Sequence, residues 1–483
     1  MAIPLFLWYS EYEEIFGKNC FGGNGMYIID FAKPCHIYFV GIGGISMSGL
    51  AELLLSKGFQ ISGSDWHSSP ITQRLERMGI AIQYGESASH ITDDIDVAVL
   101  TSAVQDSNVE FQAIKEKKIP YMLRADLLGQ IMKNFGMPIA ISGTHGKTTT
   151  TSMVSEILLK ADTDPTLSIG GILKTIDGNM RIGQSDYFVT EACEYTNSFL
   201  SFFPKISLIL NIEEDHLDFF KDLADIRNSF RRFAELLPAD GCLIINGDIE
   251  NYEEISRDLP CRVITFGHCE NCDYSPIDLT YGPSGYPVFT AATPSGERKL
   301  QLQVPGEHNV MNALAALALA DFLAIDSSLA EEALENFHGT NRRFEHKGTI
   351  GGVTIIDDYA HHPTEITTTL EAAQKQPHHT LWCVFQPHTY TRTKALMPDF
   401  AKALCLSDKI ILTDIYAARE KDTLGISSRD LQKAIQDLGK DCYYFPTFDE
   451  VENFLLENCI KDDMLITMGA GDVYKIGETL LGN

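Results

Sequence analysis

The stretch Ala140-Ile-Ser-Gly-Thr-His-Gly-Lys-Thr-Thr-Thr-Thr151 carries the residue types that hold a polyphosphate. An apolar run, Pro138 to Ile141, breaks at Gly143 and passes through Thr144, His145 and Gly146. It reaches Lys147 just before Met153, Val154, Ile157 and Leu158 fall at helical spacing. The pattern predicts strand, glycine loop, helix. In such a unit the loop amides and the helix N-terminus face an anion. The lysine ammonium reaches the outer phosphate oxygens, and the Thr148 hydroxyl, followed by Thr149, can ligate magnesium. This is the chemistry of a nucleoside triphosphate site. A full Walker pattern would put glycine at position 141, where Ile141 stands, so the shorter Gly-Thr-His-Gly-Lys-Thr form is present. An accidental glycine turn is the bland alternative, but strand and helix both lie where the mechanism needs them.

Two strands after the loop end in residues of matching chemistry. Tyr187-Phe-Val-Thr-Glu191 delivers a carboxylate, and Ser207-Leu-Ile-Leu-Asn-Ile212 runs into Glu213, Glu214, Asp215 and His216. Ligands of open α/β sheets lie beyond the carboxyl ends of the strands, which makes Glu191 the first candidate magnesium ligand beside Thr148. A solvated loop acid is its alternative. For His216 two roles stay open, because magnesium prefers oxygen: a metal ligand, or a hydrogen-bond donor to substrate phosphate. An earlier glycine turn, in His36-Ile-Tyr-Phe-Val-Gly-Ile-Gly-Gly44, follows a strand and precedes a helix over Ile45 to Lys57, with Gly58 as its cap. The strand Gln60 to Ser64 then ends in Asp65. Gly43 and Gly44 would face a diphosphate and Asp65 a ribose. The third glycine of the dinucleotide fingerprint falls on Ser46, so a nicotinamide cofactor fits less well than another diphosphate-linked nucleotide. Val97 to Leu100 and Pro120 to Leu123 continue a parallel sheet, and Arg124 can meet a phosphate.

The elements that position these groups fall into about three domains for 483 residues. A composition break at Lys133-Asn-Phe-Gly-Met-Pro138 separates the first from the second. Leu243 to Val304 reads as a β excursion. Pro305-Gly-Glu-His-Asn309 caps a helix over Val310 to Leu323, whose Asn309 and Asn312 offer amides to a purine edge, or, for Asn309, plain N-capping. Phe337-His-Gly-Thr-Asn-Arg-Arg-Phe-Glu345 marks the next boundary. Beyond it, Val353 to Asp357, Leu381 to Phe385, Lys409 to Thr413 and Met464 to Met468 read as strands, with helices such as Pro363 to Gln374 and Ser428 to Leu438 between them. Their ends carry polar clusters at 357–363, 386–392, 414–420 and 469–472. Such clusters at successive strand ends point to a binding face. The fold class is α/β.

Bulk properties exclude several roles. The formal charge of -28 argues against a nucleic-acid partner, which needs basic residues to displace counterions. A nucleotide must then be held by local amides and a few cations against the overall field. Eleven scattered cysteines suggest reduced thiols in the cytoplasm. Cys269-Glu-Asn-Cys272, preceded by His268, has no second pair nearby, which favours a surface turn over a zinc site. The apolar start, Met1-Ala-Ile-Pro-Leu-Phe-Leu-Trp, lacks a basic n-region and does not read as a signal peptide. No apolar run approaches the roughly 20 residues that span a bilayer, so a soluble protein with no membrane partner is expected.

With these pieces assembled, the chain resembles the Mur ligases of bacterial cell-wall synthesis, and within them the alanine-adding branch. The likeness runs from about Pro34 to the C-terminus. It is carried by Gly41-Ile-Gly-Gly-Ile-Ser-Met-Ser-Gly49, Gly143-Thr-His-Gly-Lys-Thr-Thr149, Asn211-Ile-Glu-Glu-Asp-His-Leu-Asp218, Pro305-Gly-Glu-His-Asn309 and the clusters at Asp357, Gln386 and Asp414. The resemblance implies a Rossmann-like UDP-sugar domain at 34–136, a central P-loop ATPase domain at 137–341 and a Rossmann-like C-terminal domain at 342–483, with 1–33 an extension of unknown role. It implies ATP and two magnesium ions, with manganese tolerated. The substrates would be UDP-N-acetylmuramate and L-alanine, and the enzyme a monomer or homodimer. By position, Gly143 to Thr149 would bind ATP phosphates, and Thr148, Glu191 and His216 would serve the metals. Asn309 and Asn312 would meet adenine, with Arg343 and Asp358 reaching the nucleotide from the third domain. Gly43, Gly44, Ser64, Asp65 and Arg124 would lie near the UDP moiety, and Tyr359, His361 and Arg392 near the lactyl carboxylate and alanine. Several relatives carry a carbamylated lysine fifteen residues after the matching histidine. Arg231 stands there, as the alanine-adding branch would have it. Closure about a hinge near Gly339 and Arg342 is expected. The competing readings are a nicotinamide oxidoreductase, a P-loop switch or transport ATPase, and the ligase that recycles an intact tripeptide onto the same sugar.

Overall fold

The structure, a computed structural model, describes residues 27–101, 103–217, 219–418 and 420–482. Most of the expected N-terminal extension, together with Asp218 and Arg419, lies outside the described residues. Residues 27–33 do belong to the first unit's packing. Ile29 is buried in its core, Tyr27 and Phe31 lie against it, and Phe31 donates its amide to Asn134 Oδ1 at 2.9 Å.

The first sheet comprises β1 (His36–Val40), β2 (Gln60–Asp65), β3 (Ala81–Tyr84), β4 (Val97–Leu100) and β5 (Tyr121–Leu123), all parallel in the order 3-2-1-4-5. β1 and β4 are buried at every position, as expected of parallel strands covered on both faces. The strand order reverses beside β1, and there the glycine turn leads into α1 (Ile45–Ser56).

The second sheet holds β6 (Met137–Ser142), β7 (Thr166–Leu173), β8 (Gly178–Arg181), β9 (Tyr187–Ala192), β10 (Ile206–Ile209), β11 (Cys242–Asn246) and β12 (Arg262–Phe266). Their order is 12-11-10-6-9-7-8, parallel except for the β7–β8 hairpin. The expected β excursion is therefore shorter than its sequence suggested. β11 and β12 read Cys-Leu-Ile-Ile-Asn and Arg-Val-Ile-Thr-Phe, and their apolar faces are buried in the main sheet. Only β13 (Ser275–Tyr281), β14 (Pro287–Thr293) and β15 (Gly296–Gln301) form a separate antiparallel sheet. Two helices border the phosphate loop: α2 (Lys147–Lys160), which leaves it, and α3 (Glu307–Phe322), which starts three residues earlier than the sequence suggested. α3 is almost wholly buried because its alanines and leucines leave no polar face, and it packs with α2 in the central core.

The third sheet runs 16-17-21-18-19-20, from β16 (Glu345–Ile350), β17 (Val353–Asp358), β18 (Leu381–Phe385), β19 (Lys409–Leu412), β20 (Cys442–Tyr444) and β21 (Met464–Met468). It is parallel except for the edge strand β16. α4 (Pro363–Gln374) follows β17, with Pro363 in its first turn and the His362 side chain as cap.

The units join closely. Asn341 donates its amide to Ile172 O at 3.1 Å and Thr340 Oγ1 bonds Ser152 Oγ at 3.0 Å, both in the central unit. Arg342, one residue on and left-handed at φ 61, bonds Asp357 Oδ2 at 3.0 Å and Gly469 O at 2.7 Å in the third. Between the first and central units, Gly129 lies so close to the 195–201 turn that an added Cβ would sit 1.9 Å from Ser201 O. Gly129→Ala must push these surfaces apart, and we expect a loss of about 1–3 kcal/mol, the usual cost of overpacking. Denaturant unfolding measures it, and a change below about 0.5 kcal/mol would mean that the contact is not tight.

Candidate active site

Three strands of the central sheet meet at the phosphate loop. β6 pairs with β10 on one side and β9 on the other, so that Ile141 lies opposite Leu208 and Glu191. Gly146, the cap of α2, has φ 81, and a Cβ there would fall 2.7 Å from Asn312 Oδ1. Glycine is needed both for the left-handed backbone and for the approach of α3. Asn211 at the end of β10 clasps the loop: its Oδ1 accepts from the His145 amide at 2.7 Å and its Nδ2 donates to His145 O at 3.1 Å.

Lys147 is the charge at the centre. Its ammonium donates to Gly143 O, to Thr144 O at 3.1 Å and to Glu194 Oε2 at 3.0 Å. Burial on its own would lower its pKa. The carboxylate of Glu194 outweighs that, with help from Cys193 and Glu191, and the group stays charged well above its ordinary range. Glu194 is 2% exposed and was not singled out from the sequence, although it stands only three residues after Glu191. β9 ends at Ala192 between them, and the chain beyond its end carries the second acid to Lys147. Glu191 itself accepts from the Gly170 amide at 2.6 Å, where a glycine Cβ would overlap its oxygens. His216 Nε2 lies 3.9 Å from Glu194 Oε1 and 3.7 Å from Asp215 Oδ2, and its ring stacks on Tyr195 at 4.4 Å. Burial lowers its pKa despite these two acids, leaving a neutral imidazole that can accept as well as donate.

Thr148, Glu191, Glu194 and His216 offer mostly oxygen, the donor type magnesium takes. Among the described residues no group of three His, Cys, Asp or Glu side chains could hold a metal by itself. A magnesium ion here would draw the rest of its shell from phosphates and water, as it does in nucleotide sites.

One cavity is shared by the central and third units. His145, Gly146, Thr148, Thr149, Asn309 and Asn312 line it from one side, and Arg343 and Asp358 from the other. Neither asparagine caps α3. Asn309 Nδ2 donates to Pro305 O at 2.7 Å and Asn312 Nδ2 to Asn309 Oδ1 at 3.0 Å, so each fixes the other facing the cavity. Asp358 accepts from the Phe344 and Ala360 amides at 2.8 and 2.7 Å, and burial pushes its pKa up to about 6 against the pull of Arg343. His145 reaches across to Glu365 on α4 at 3.4 Å and back to Glu213 at 3.5 Å. Burial opposes its protonation, but the two acids win and raise its pKa to about 9.

A second cavity of about 790 Å³ takes the rest of the 211–217 segment, of which Asn211 and Glu213 line the first; its walls include Asp215, His216, His388 and Arg392. Arg392 crosses from the third unit to Asp215 Oδ1 at 3.4 Å. Tyr359 and His361 pack together at 5.4 Å, and His361 stands 5.8 Å from His388. In the first unit Ser64 and Asp65 line a separate cavity. Asp65 Oδ2 accepts from the Gly43 amide at 2.8 Å, Gly44 caps α1, and Arg124 bonds Ser46 Oγ at 3.1 Å, tying the base of α1 to the start of the helix Arg124–Met132 that follows β5. The structure thus gathers His145, Gly146, Thr148 and Thr149 of the phosphate loop with Asn309, Asn312, Arg343 and Asp358 around one cavity, and His216 with Arg392 around the next. Gly143, Thr144, Lys147, Glu191, Tyr359, His361, Gly43, Gly44 and Arg124 line neither.

Two other sequence features settle differently. Cys269 and Cys272 form a disulfide rather than the expected pair of free thiols, in a loop where His268 bonds Asp248. Arg231 spends its guanidinium on Glu235 and the carbonyls of Glu254 and Ile255.

Comparison with known proteins accords with this geometry. Family profiles described as "Mur ligase family, catalytic domain", "Mur ligase middle domain" and "Mur ligase, glutamate ligase domain" match residues 36–136, 141–320 and 342–471. A UDP-N-acetylmuramate–L-alanine ligase of Lachnospira eligens is 57% identical over 459 residues, covering 94% of this chain and 100% of the relative. One from Clostridium botulinum is 50% identical, covering 92% and 97%. Among solved structures, a UDP-N-acetylmuramate-alanine ligase of Thermotoga maritima superposes with TM-score 0.77 at 29% identity over 92% of this chain and 98% of that one. A murein peptide ligase of Psychrobacter arcticus, at TM-score 0.67 and 24% identity over 93% and 98%, shares the fold. Phosphate loop, cavity and whole-length likeness agree, and the chain belongs to the Mur ligase family.

Proposed function

We propose that this chain is an ATP-dependent ligase that joins L-alanine to the lactyl carboxylate of UDP-N-acetylmuramate. The products are UDP-N-acetylmuramoyl-L-alanine, ADP and phosphate, a step of peptidoglycan synthesis. The observation that carries the reading is the pair of cavities that share the 211–217 segment. One is lined by Asn211, Glu213 and the loop residues His145, Gly146, Thr148 and Thr149, the other by Asp215, His216 and Arg392. A phosphoryl donor in the first and an acceptor carboxylate in the second would meet at that segment, near Lys147 and His216. That full-length relatives at 57% and 50% identity bear the alanine ligase name supports it over tripeptide recycling, for which the likeness is one of fold.

A carboxylate and a triphosphate repel, so the site must neutralise and align them before the carboxylate attacks the γ-phosphorus in line. Bound magnesium supplies part of that neutralisation, and we extend the reading to two ions with manganese tolerated. Lys147 takes charge from the β and γ oxygens, Asn309 and Asn312 meet the adenine edge, and Arg343 and Asp358 close over the nucleotide. Arg392, Tyr359 and His361 steer the lactyl carboxylate and the amino acid. Gly43, Gly44, Ser64, Asp65 and Arg124 hold the UDP group. The carboxylate's attack gives an acyl phosphate with ADP as leaving group. The deprotonated alanine amine then adds to the acyl carbonyl, and the tetrahedral state, whose charge the same cations stabilise, expels phosphate to leave the amide. On this reading the units divide at about 34–136, 137–341 and 342–483, and the enzyme works in the cytoplasm as a monomer or homodimer. No helix among the described residues is long and apolar enough to cross a membrane.

Lys147→Ala should lower the turnover by at least about a hundredfold, the scale for losing one preorganised charge stabiliser. Activity within tenfold of the parent would remove Lys147 from this role. Phosphate release should need UDP-N-acetylmuramate and L-alanine together. Release with ATP alone would indicate a switch or transport ATPase, and preference for the tripeptide would indicate the recycling enzyme. The His145 bridge also has a pH signature. Because its folded pKa is raised from 6.5 to about 9, its stabilising effect is full below about 6.5 and lost as pH rises through about 9. Unfolding midpoints across that range should fall more steeply for the parent than for His145→Gln, and parallel curves would refute the bridge.

A further inference from the structure

Glu194 has no role in the reaction as proposed, yet it pairs directly with the central cation of the phosphate site. Its two oxygens lie 3.0 and 3.4 Å from Lys147 Nζ, and its side chain is 3% exposed. An ammonium has three protons to give. Lys147 gives them to Gly143 O, Thr144 O and Glu194. A γ-phosphate can therefore accept from Lys147 only if one of these partners lets go. The two carbonyls are part of the loop's own frame, held where the Thr144 amide bonds Asn211 O at 3.2 Å and Asn211 clasps His145. Glu194 is the side chain among the three and the one free to rotate. Behind it the chain passes through Thr196 and Asn197, both left-handed at φ 55 and 57.

We propose that Glu194 occupies, in the nucleotide-free enzyme, the place on Lys147 that the outer phosphate takes, and yields it only when a divalent cation arrives with the nucleotide. The inference rests on the reading of the loop as an ATP site and adds a positioning residue to it. A displaced Glu194 would face the triphosphate as a second anion in a largely buried site, where Glu194 is 3% and Lys147 16% exposed, and repulsion between partly buried charges is screened less than at the surface. A divalent cation bound with the nucleotide would offset that repulsion, and Glu194 could be among the oxygens that hold it. The displaced carboxylate would also have the imidazole of His216 within reach, now 3.9 Å away. Glu191, engaged with the Gly170 amide at 2.6 Å, is not a competitor for Lys147 in this arrangement. The consequence is that metal-free nucleotide must compete with a built-in anion, whereas the metal complex does not. The enzyme would then hold its lysine charged and aimed between turnovers and discriminate against uncomplexed ATP.

The test is calorimetric titration of the full-length enzyme with a non-hydrolysable ATP analogue, once in EDTA and once in saturating magnesium, for the parent and for Glu194→Gln, with thermal melting to verify folding. In the parent, magnesium should tighten binding at least about tenfold, the lower end of what one close charge pair is worth. Glu194→Gln keeps the shape and removes the charge. It should bind the metal-free analogue at least about tenfold tighter than the parent does and show a correspondingly smaller gain from magnesium. A residue that only supported the loop would weaken both conditions alike. Equal magnesium gains in the two proteins would overturn the proposal. So would a parent that binds the analogue equally well in EDTA, a result that needs no variant to fold. A parent that binds no analogue under either condition would instead overturn the ATP reading itself.

Discussion

The central unit depends on one buried ammonium. Lys147 lies at the first position of α2, under a loop whose carbonyls and one carboxylate use all its protons. A buried cation without such partners would shed its proton or unfold its surroundings. With them it is held charged in one place, aimed where a phosphate would lie. The glycines, the Asn211 clasp and the close approach of α3 over Gly146 reflect the need to build that pocket from backbone at short range.

Around it, the chain repeats one solution to one problem. A sheet of mostly parallel strands must bury both faces, so its polar residues collect at the strand ends, and the carboxyl ends are where ligands gather. The first unit ends β2 in Ser64 and Asp65, the central unit ends β10 before Asn211, and the third ends β17 in Asp358. What turns separate ends into a site is the joint between the last two units. Asn341 is bonded to the central sheet's β7 and Arg342 to the third unit's Asp357, so one peptide separates the anchors. His145 to Glu365 and Arg392 to Asp215 then bridge the gap with charge. These bridges tie α4 and the 386–392 cluster to the two segments that border the phosphate, so movement of the third unit is felt at the loop.

A chain of formal charge -28 that handles an anionic nucleotide must concentrate its cations where they count. Arg343, Arg392 and protonated His145 line the two cavities and Lys147 lies beside them, and each is matched to an acid: Glu365, Asp215 and Glu213 for the first three and Glu194 for Lys147. Paired this way, they add little to the net field while keeping their donors in place.

Much of the architecture was legible in the residues because it is local. Period and punctuation located β1, β4, β18 and β21, the helix after each glycine turn, and the loop at Gly143 to Lys147, since a strand's apolar run and a helix's spacing are written within ten or fifteen residues. The same reasoning misread β11 and β12 as part of an outlying β segment, because an apolar strand does not say which sheet will bury it. It chose Glu191 for its place at a strand end and passed over Glu194, whose approach to Lys147 depends on the path the chain takes once β9 ends at Ala192. It left Asn309 between a purine edge and plain N-capping; the side chain caps nothing, folding back on Pro305 O and accepting from Asn312. The spacing of chemistry along the chain was thus determined by the sequence itself. Which acid meets which base, across the contact between two units, was decided by tertiary structure, because a carboxylate's partner depends on distances that close only when separate sheets pack together.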